Sequence, residues 1–145
     1  MLKNINHCAS RFFDILPDAW QESIIPHWEA LKNSAQVYVI ENDREILVGG
    51  IVFSSVIPEM KAYAKEAHHW FSNDYLYIGY LWVPEKERGK NLGSIWLKEL
   101  RELDKHQKYW LTIEEEGLSK FYLKNNFKHI KTLAVKDSKE ELFAD

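Results

Sequence analysis

The sequence predicts a mixed α/β fold in which short helices and an antiparallel hairpin precede a strand–helix–strand crossover. Three observations point there. β-Rich runs alternate along the chain with amphipathic helical stretches, a hairpin signal lies in the first third, and one almost unbroken apolar strand leads into the clearest helix. With 145 residues the chain has enough length for one core and too little for two, so residues 1–145 are read as a single domain.

Taken in order, Pro17 to Lys32 carries Trp20, Ile24, Ile25, Trp28 and Leu31 at helical spacing, with Asp18 as a cap and Pro26 as a break. One or two short helices are predicted. Ala35–Ile40 and Glu45–Val56 flank Glu41-Asn42-Asp43-Arg44, whose Asn-Asp pair suits a tight turn, and form the hairpin. Pro58–Asn73 is long for a plain connection and rich in helix formers, which predicts a helical insertion over the sheet edge. Tyr75–Val83 reads as a central strand covered on both faces, with Gly79 marking a bulge or a close backbone approach.

Beyond the charged turn Glu85–Asn91, the residues Leu92, Ile95, Trp96, Leu100 and Leu103 form one apolar stripe opposite Lys98, Glu99, Arg101 and Glu102. Tyr109–Ile113 is a second buried strand, Leu118–Lys124 a short helix, and Phe127–Val135 the last strand. The charged tail from Lys136 is read as loose.

Composition narrows the function classes. A net charge of −3 supplies no broad positive field, so nucleic acid is not an expected partner. Cys8 is the only cysteine, which excludes an intrachain disulfide and suits a reducing compartment. Met1–His7 lacks the apolar run of a signal peptide, and no window approaches the ~20 apolar residues that span a bilayer, so a cytoplasmic protein without membrane contact is expected. Glu66 and His69 stand one helical turn apart, but two ligands do not hold zinc, and no metal site is expected.

The chemistry concentrates between Val83 and Ser94, where a buried strand meets the first turn of the amphipathic helix. A helix start leaves about four amides unpaired and carries roughly half a positive charge, so it attracts phosphate where small residues permit approach. Arg88 and Lys90 add to that field. Standing alone, Gly89-x-x-x-Gly93 would be a polar turn and nothing more.

The run Arg88-Gly89-Lys90-Asn91-Leu92-Gly93, however, resembles the acetyl-CoA signature Arg/Gln-x-x-Gly-x-Gly/Ala of the GNAT superfamily, with Asn91 in place of a family glycine. Tyr122-Leu123-Lys124-Asn125-Asn126-Phe127 resembles the family's Tyr-x-Lys-x-Gly-Phe ending, with Asn126 again replacing glycine. Asparagine is the non-glycine residue that best accepts a left-handed backbone, and Asn126 follows a short helix where such a cap belongs.

The resemblance implies a GNAT-like fold with splayed central parallel strands, acetyl-CoA as co-substrate, and direct attack of an amine on the thioester. Carried over by position, Leu81, Trp82 and Val83 hold the acetyl group and pantetheine arm. Arg88, Gly89, Lys90, Asn91, Leu92, Gly93 and Ser94 hold the pyrophosphate, and Tyr122 protonates the departing thiolate. The family's pantetheine-binding Asn before the short helix is missing here, where only acidic residues and Gly117 stand. A base is needed to deprotonate an alkylammonium acceptor. Glu114 and Glu116, with Glu115 between them, are candidates, although such a charge run is usually a solvated loop. His69 and Trp70 close the insertion, a region that the resemblance places over the acceptor side, as a substrate lid; the plainer reading is a solvent-facing histidine at a helix end.

The expected function is thus N-acetylation of a small-molecule or protein amine by a monomer or homodimer. Two other readings stand beside it: a non-catalytic acyl-CoA-binding or interaction module, and a scaffold with an aromatic face built on Trp20, Trp28, Trp70 and Trp110.

Overall fold

The computed structural model describes residues 1–145. The chain forms strand β1 (Lys3–Asn4), helices α1 (Ser10–Phe13), α2 (Asp18–Ile24) and α3 (Trp28–Leu31), and strands β2 (Ala35–Asn42) and β3 (Glu45–Phe53). Helix α4 (Ala64–Ser72), strand β4 (Tyr75–Trp82), helix α5 (Leu92–Leu103), strand β5 (Lys108–Ile113), helix α6 (Ser119–Lys124) and strands β6 (Lys128–Val135) and β7 (Ser138–Ala144) follow. The seven strands form a mixed sheet in the order β1-β2-β3-β4-β5-β7-β6. Two compact units share β4: Met1–Phe53 with Gly79–Lys105, and Ser54–Ile78 with His106–Asp145. No helix is long and apolar enough to cross a membrane.

In the first unit, Pro26 interrupts the helical run as its missing N–H dictates, leaving one tight 3-10 turn, Ile25–His27, before α3. The β2–β3 hairpin pairs Ala35↔Phe53 through Asn42↔Glu45. Its turn is Asp43-Arg44, one residue later than the Asn-Asp pair suggested, and both residues are left-handed (φ 49° and 68°). That matches the twist of the flanking strands. Strand β1, which has too few residues to leave a pattern, pairs with β2 through Lys3↔Val39 and Asn4↔Tyr38.

Helix α5 buries Trp96, Leu97 and Leu100, whereas Ile95 and Leu103 are exposed at 37% and 56%. The inward face is therefore rotated from the predicted stripe, because Trp96 sets the orientation. Its indole N–H donates to the carbonyl of Tyr38 at 3.0 Å, and its ring lies against Gly50, where an added Cβ would come within 2.7 Å. Gly50→Ala is expected to destabilise the protein by about 1–3 kcal/mol through overpacking. Urea unfolding monitored by Trp fluorescence checks this, as a lower midpoint at unchanged slope.

In the second unit, β4 pairs in parallel with β5 over Tyr75↔Lys108, Leu76↔Tyr109 and Tyr77↔Trp110, and the pairing stops there, as splayed central strands require. Only Tyr77 and Ile78 of β4 are buried; the other six residues are half-buried, so the strand is less covered than its apolar run suggests. The segment after Lys136 is not a loose tail. It contains β7, which inserts antiparallel between β5 (Trp110↔Ala144 to Ile113↔Glu141) and β6 (Lys128↔Ala144 to Val135↔Ser138). Leu142, Phe143 and Ala144 are almost fully buried there, and three residues are too few to stand out beside Lys139-Glu140-Glu141. The insertion is helical as expected: a 3-10 stretch, Pro58–Tyr63, runs into α4, burying Met60, Tyr63, Ala67 and Trp70.

Candidate active site

The turn entering α5 in the first unit owes its shape to two left-handed residues, Gly89 (φ 84°) and Asn91 (φ 62°). Alternating backbone hands turn successive amides toward one side, which makes an anion-binding concavity. The amide of Ile95 makes the first helical bond, to the carbonyl of Asn91 at 3.1 Å, so the N–H groups of Leu92, Gly93 and Ser94 lie ahead of it at the positive end of a twelve-residue helix. The Asn91 side chain makes no capping bond to them. A Cβ on Gly89 would meet nothing within 4 Å, so Gly89→Ala is expected to cost about 1 kcal/mol through its backbone angle alone. A thermal melt checks this, and a neutral result would mean the turn is not left-handed there.

Arg88 and Lys90 are both held. Arg88 Nε donates to the carbonyl of Val83 at 3.0 Å, and its guanidinium lies 4.8 Å from the centre of the Trp82 ring. Lys90 pairs with Glu87 at 2.7 Å, and Glu87 is 8% exposed. A concavity of about 410 Å³ near the turn is lined by Asn42, Asp43, Glu45, Leu47, Glu87, Lys90 and Leu92. Its three carboxylates outnumber its one lysine, a field that repels phosphate, so the backbone amides and not this hollow are the candidate anion site.

Leu81, Trp82 and Val83 lead into the turn and are half-buried. The irregularity expected at Gly79 falls at Tyr80 instead, whose φ is 58°. A left-handed bulky residue is strained by roughly 1–2 kcal/mol and persists only where surroundings hold it. The holding contacts are a hydrogen bond between the Tyr80 and Ser23 hydroxyls and the edge of Trp20, 5.8 Å away between ring centres.

Tyr122 belongs to the second unit, on α6, and is 8% exposed among Phe121, Phe127 and Phe143, with ring centres 4.9, 5.8 and 6.1 Å away. Burial pushes its phenol well above the ordinary tyrosine range, so it keeps its proton. Asn126 closes α6 in the left-handed region (φ 72°), with its N–H donating to the carbonyl of Leu123 at 3.2 Å and that of Phe127 to Tyr122 at 3.1 Å. These are the two bonds of a Schellman cap, which explains why asparagine serves where the family carries glycine.

Glu114 and Glu116 are exposed. Trp70, expected on a lid with His69, faces inward instead: it is 9% exposed, stacks on Trp110 at 6.3 Å, and donates its indole N–H to Glu66 at 3.0 Å. A ring held by that many partners is core, and only His69 is exposed.

The acidic residue that sequence reading missed is Glu140 on β7. Burial, together with the negative charges of Glu114 and Glu59, pushes its carboxyl up to about 7. The folded state therefore binds more protons than the unfolded state between pH about 4.5 and about 7, so this group's contribution to stability falls as pH rises through that window. Glu140→Gln is expected to flatten the melting temperature across it; an equal slope in both proteins would refute the shift.

The sequence profile of the acetyltransferase (GNAT) family matches residues 3–127. The chain belongs to that family. By family it is a GNAT-type N-acetyltransferase, and solved GNAT structures share its fold at low identity. An aminoglycoside 6′-N-acetyltransferase complexed with coenzyme A superposes with a TM-score of 0.73 at 11% identity, covering 100% of this chain and 96% of that one. An aminoglycoside acetyltransferase in complex with coenzyme A and kanamycin gives 0.72 at 15% identity, covering 100% and 93%. A GNAT-family protein from Desulfovibrio desulfuricans gives 0.68 at 10% identity, covering 100% and 97%. No curated protein matches the GNAT chain.

Proposed function

We propose that this GNAT chain acts in the cytoplasm as one catalytic domain, residues 1–145, that moves an acetyl group from acetyl-CoA to a primary amine of a small molecule. The observation that carries the reading is the start of α5, where Gly89 and Asn91 turn left-handed ahead of the amides of Leu92, Gly93 and Ser94. This backbone fits a diphosphate, because it offers donors without a side chain at Gly89 to block approach. When bound, acetyl-CoA supplies an activated thioester carbonyl.

The chain's own residues then divide the work. Main-chain amides from Gly89 to Ser94 hold the diphosphate, with Arg88 and Lys90 as flanking charges. The backbone of Leu81, Trp82 and Val83 holds the pantetheine arm and stabilises the oxyanion that forms at the carbonyl. Tyr122, kept protonated by burial, donates to the leaving sulfur. A small-molecule acceptor is favoured because two structural neighbours are aminoglycoside acetyltransferases.

Purified protein, acetyl-CoA and a panel of kanamycin, spermidine, ethanolamine and lysine peptides test this through free-thiol release. Thiol release with a small amine is the expected result. Thermal stabilisation by acetyl-CoA without thiol release would point to the acyl-CoA-binding module instead, and the absence of both effects would overturn the proposal.

A further inference from the structure

Seven non-glycine residues of the chain are left-handed, and six of them lie between elements, where the backbone must turn or stop. Tyr80 alone lies inside a strand, with no turn to make. For a bulky residue this angle brings Cβ against the following carbonyl, so the strain has to be balanced by what the side chain touches.

Within the first unit the balance comes from α2. The Tyr80 and Ser23 hydroxyls are hydrogen-bonded, and Ser23 Oγ donates to the carbonyl of Trp20, one turn back on the helix, at 3.3 Å. A serine hydroxyl has one proton, so the phenol is the donor between the two side chains. The back-bond fixes the serine rotamer on α2, and the serine in turn fixes the phenol. The Tyr80 ring has two aromatic neighbours, Trp20 edge-on at 5.8 Å and the fully buried Phe53 of β3 at 6.2 Å between centres.

A second observation is independent of that hydroxyl pair. The Trp20 ring also meets Trp82 at 5.3 Å, on whose other contacts the Arg88 guanidinium lies 4.8 Å from the ring centre. One indole of α2 therefore braces the residues on both sides of Leu81. Rotation about the N–Cα bond of Tyr80 turns the whole peptide that follows, so the angle held there decides where the Leu81 N–H points.

We propose that Ser23 and Trp20 are positioning residues for the transfer step: they hold Tyr80 left-handed, and that angle aims the main-chain N–H groups after it at the thioester oxygen. The inference rests on the acetyl-transfer reading and deepens it. Oxyanion donors act only when they are aimed before the charge develops, and a displacement of about 1 Å costs roughly 100-fold in rate. Relaxation of Tyr80 to extended backbone would cause such a displacement without touching the phosphate-binding turn.

The test uses the full chain, acetyl-CoA isotopically labelled at the carbonyl, and kanamycin, spermidine and ethanolamine as acceptors. Ser23→Ala is expected to lower kcat about 10-fold, with KM for acetyl-CoA within about twofold of native. The infrared stretch of the bound thioester carbonyl, lowered by its hydrogen bonds in the native protein, should move back toward its value in solution. Tyr80→Phe should behave alike, and the double variant should be no worse than either, since both changes delete one bond. Trp20→Leu frees Tyr80 and Trp82 together and should cost about 100-fold.

The deciding variant is Tyr80→Asn. Asparagine takes the left-handed backbone unaided, so Ser23→Ala combined with Tyr80→Asn should recover kcat to within about threefold of native. A serine with only a structural role would change the melting temperature, leave kcat and the carbonyl stretch alone, and give asparagine nothing to rescue. If Tyr80→Asn does not fold, the cycle between Ser23→Ala and Tyr80→Phe decides, and additive losses there overturn the proposal. Native kcat and a native carbonyl stretch in Ser23→Ala overturn it as well and leave acetyl transfer standing. No thiol release with any of the amines and no stabilisation by acetyl-CoA in the native protein overturn both.

Discussion

Tyr122→Phe is expected to lower kcat by about 100-fold or more while leaving acetyl-CoA affinity almost unchanged. The substitution keeps the ring that packs on Phe121, Phe127 and Phe143 and deletes only the hydroxyl, so packing losses should not mask the catalytic one. Burial makes this phenol a weaker acid than an exposed one, and a free thiolate is less basic than it is. Proton donation must therefore accompany C–S cleavage rather than follow it, and no basic limb from Tyr122 should appear below pH about 10. Steady-state kinetics with free-thiol detection and calorimetric titration of acetyl-CoA measure the two halves of the claim. A kcat equal to that of the native protein would remove Tyr122 from the acid role.

The largest stability effect should come from Trp96→Ala, at about 3–5 kcal/mol. Trp96 is fully buried, and two losses coincide on its removal. A cavity opens against Gly50, which has no side chain to fill it, and the carbonyl of Tyr38 loses its indole donor. Measured against the roughly 5–15 kcal/mol that holds a domain together, this leaves little margin. Urea unfolding should show a sharply lower midpoint; a loss below about 1 kcal/mol would mean that the ring does not lie on Gly50.

The elements legible in the sequence are those whose pattern is long and local. The apolar run of β4, the break at Pro26, the hairpin and the existence of α5 all follow from neighbours within a few turns. The backbone of the candidate site was legible in the same way: Gly89, Asn91 and Asn126 are residues suited to a left-handed backbone, and all three adopt it. What escaped depends on distant partners. The face of α5 is set by Gly50, some 46 positions before Trp96, and the left-handed angle of Tyr80 is held by Ser23 and Trp20. Trp70 looked like a lid because nothing nearby in sequence announces Trp110 as its stacking partner. Glu140 was invisible for a related reason. Its raised carboxyl comes from burial and from the charges of Glu114, just past the end of β5, and of Glu59, and the charged segment around it gave no sign of being a strand.

The position of β7 between two strands that precede it has a consequence for biosynthesis. A ribosome extrudes β6 before β7, so β6 waits without a ladder partner until the following strand has emerged, its backbone amides and carbonyls open to any passing edge. Among the side chains it carries in that interval, Lys128, His129, Lys131 and Thr132 flank the apolar Ile130, and these four are polar and remain exposed in the finished fold. They are the kind of gatekeepers that keep a nascent strand from pairing with the wrong chain.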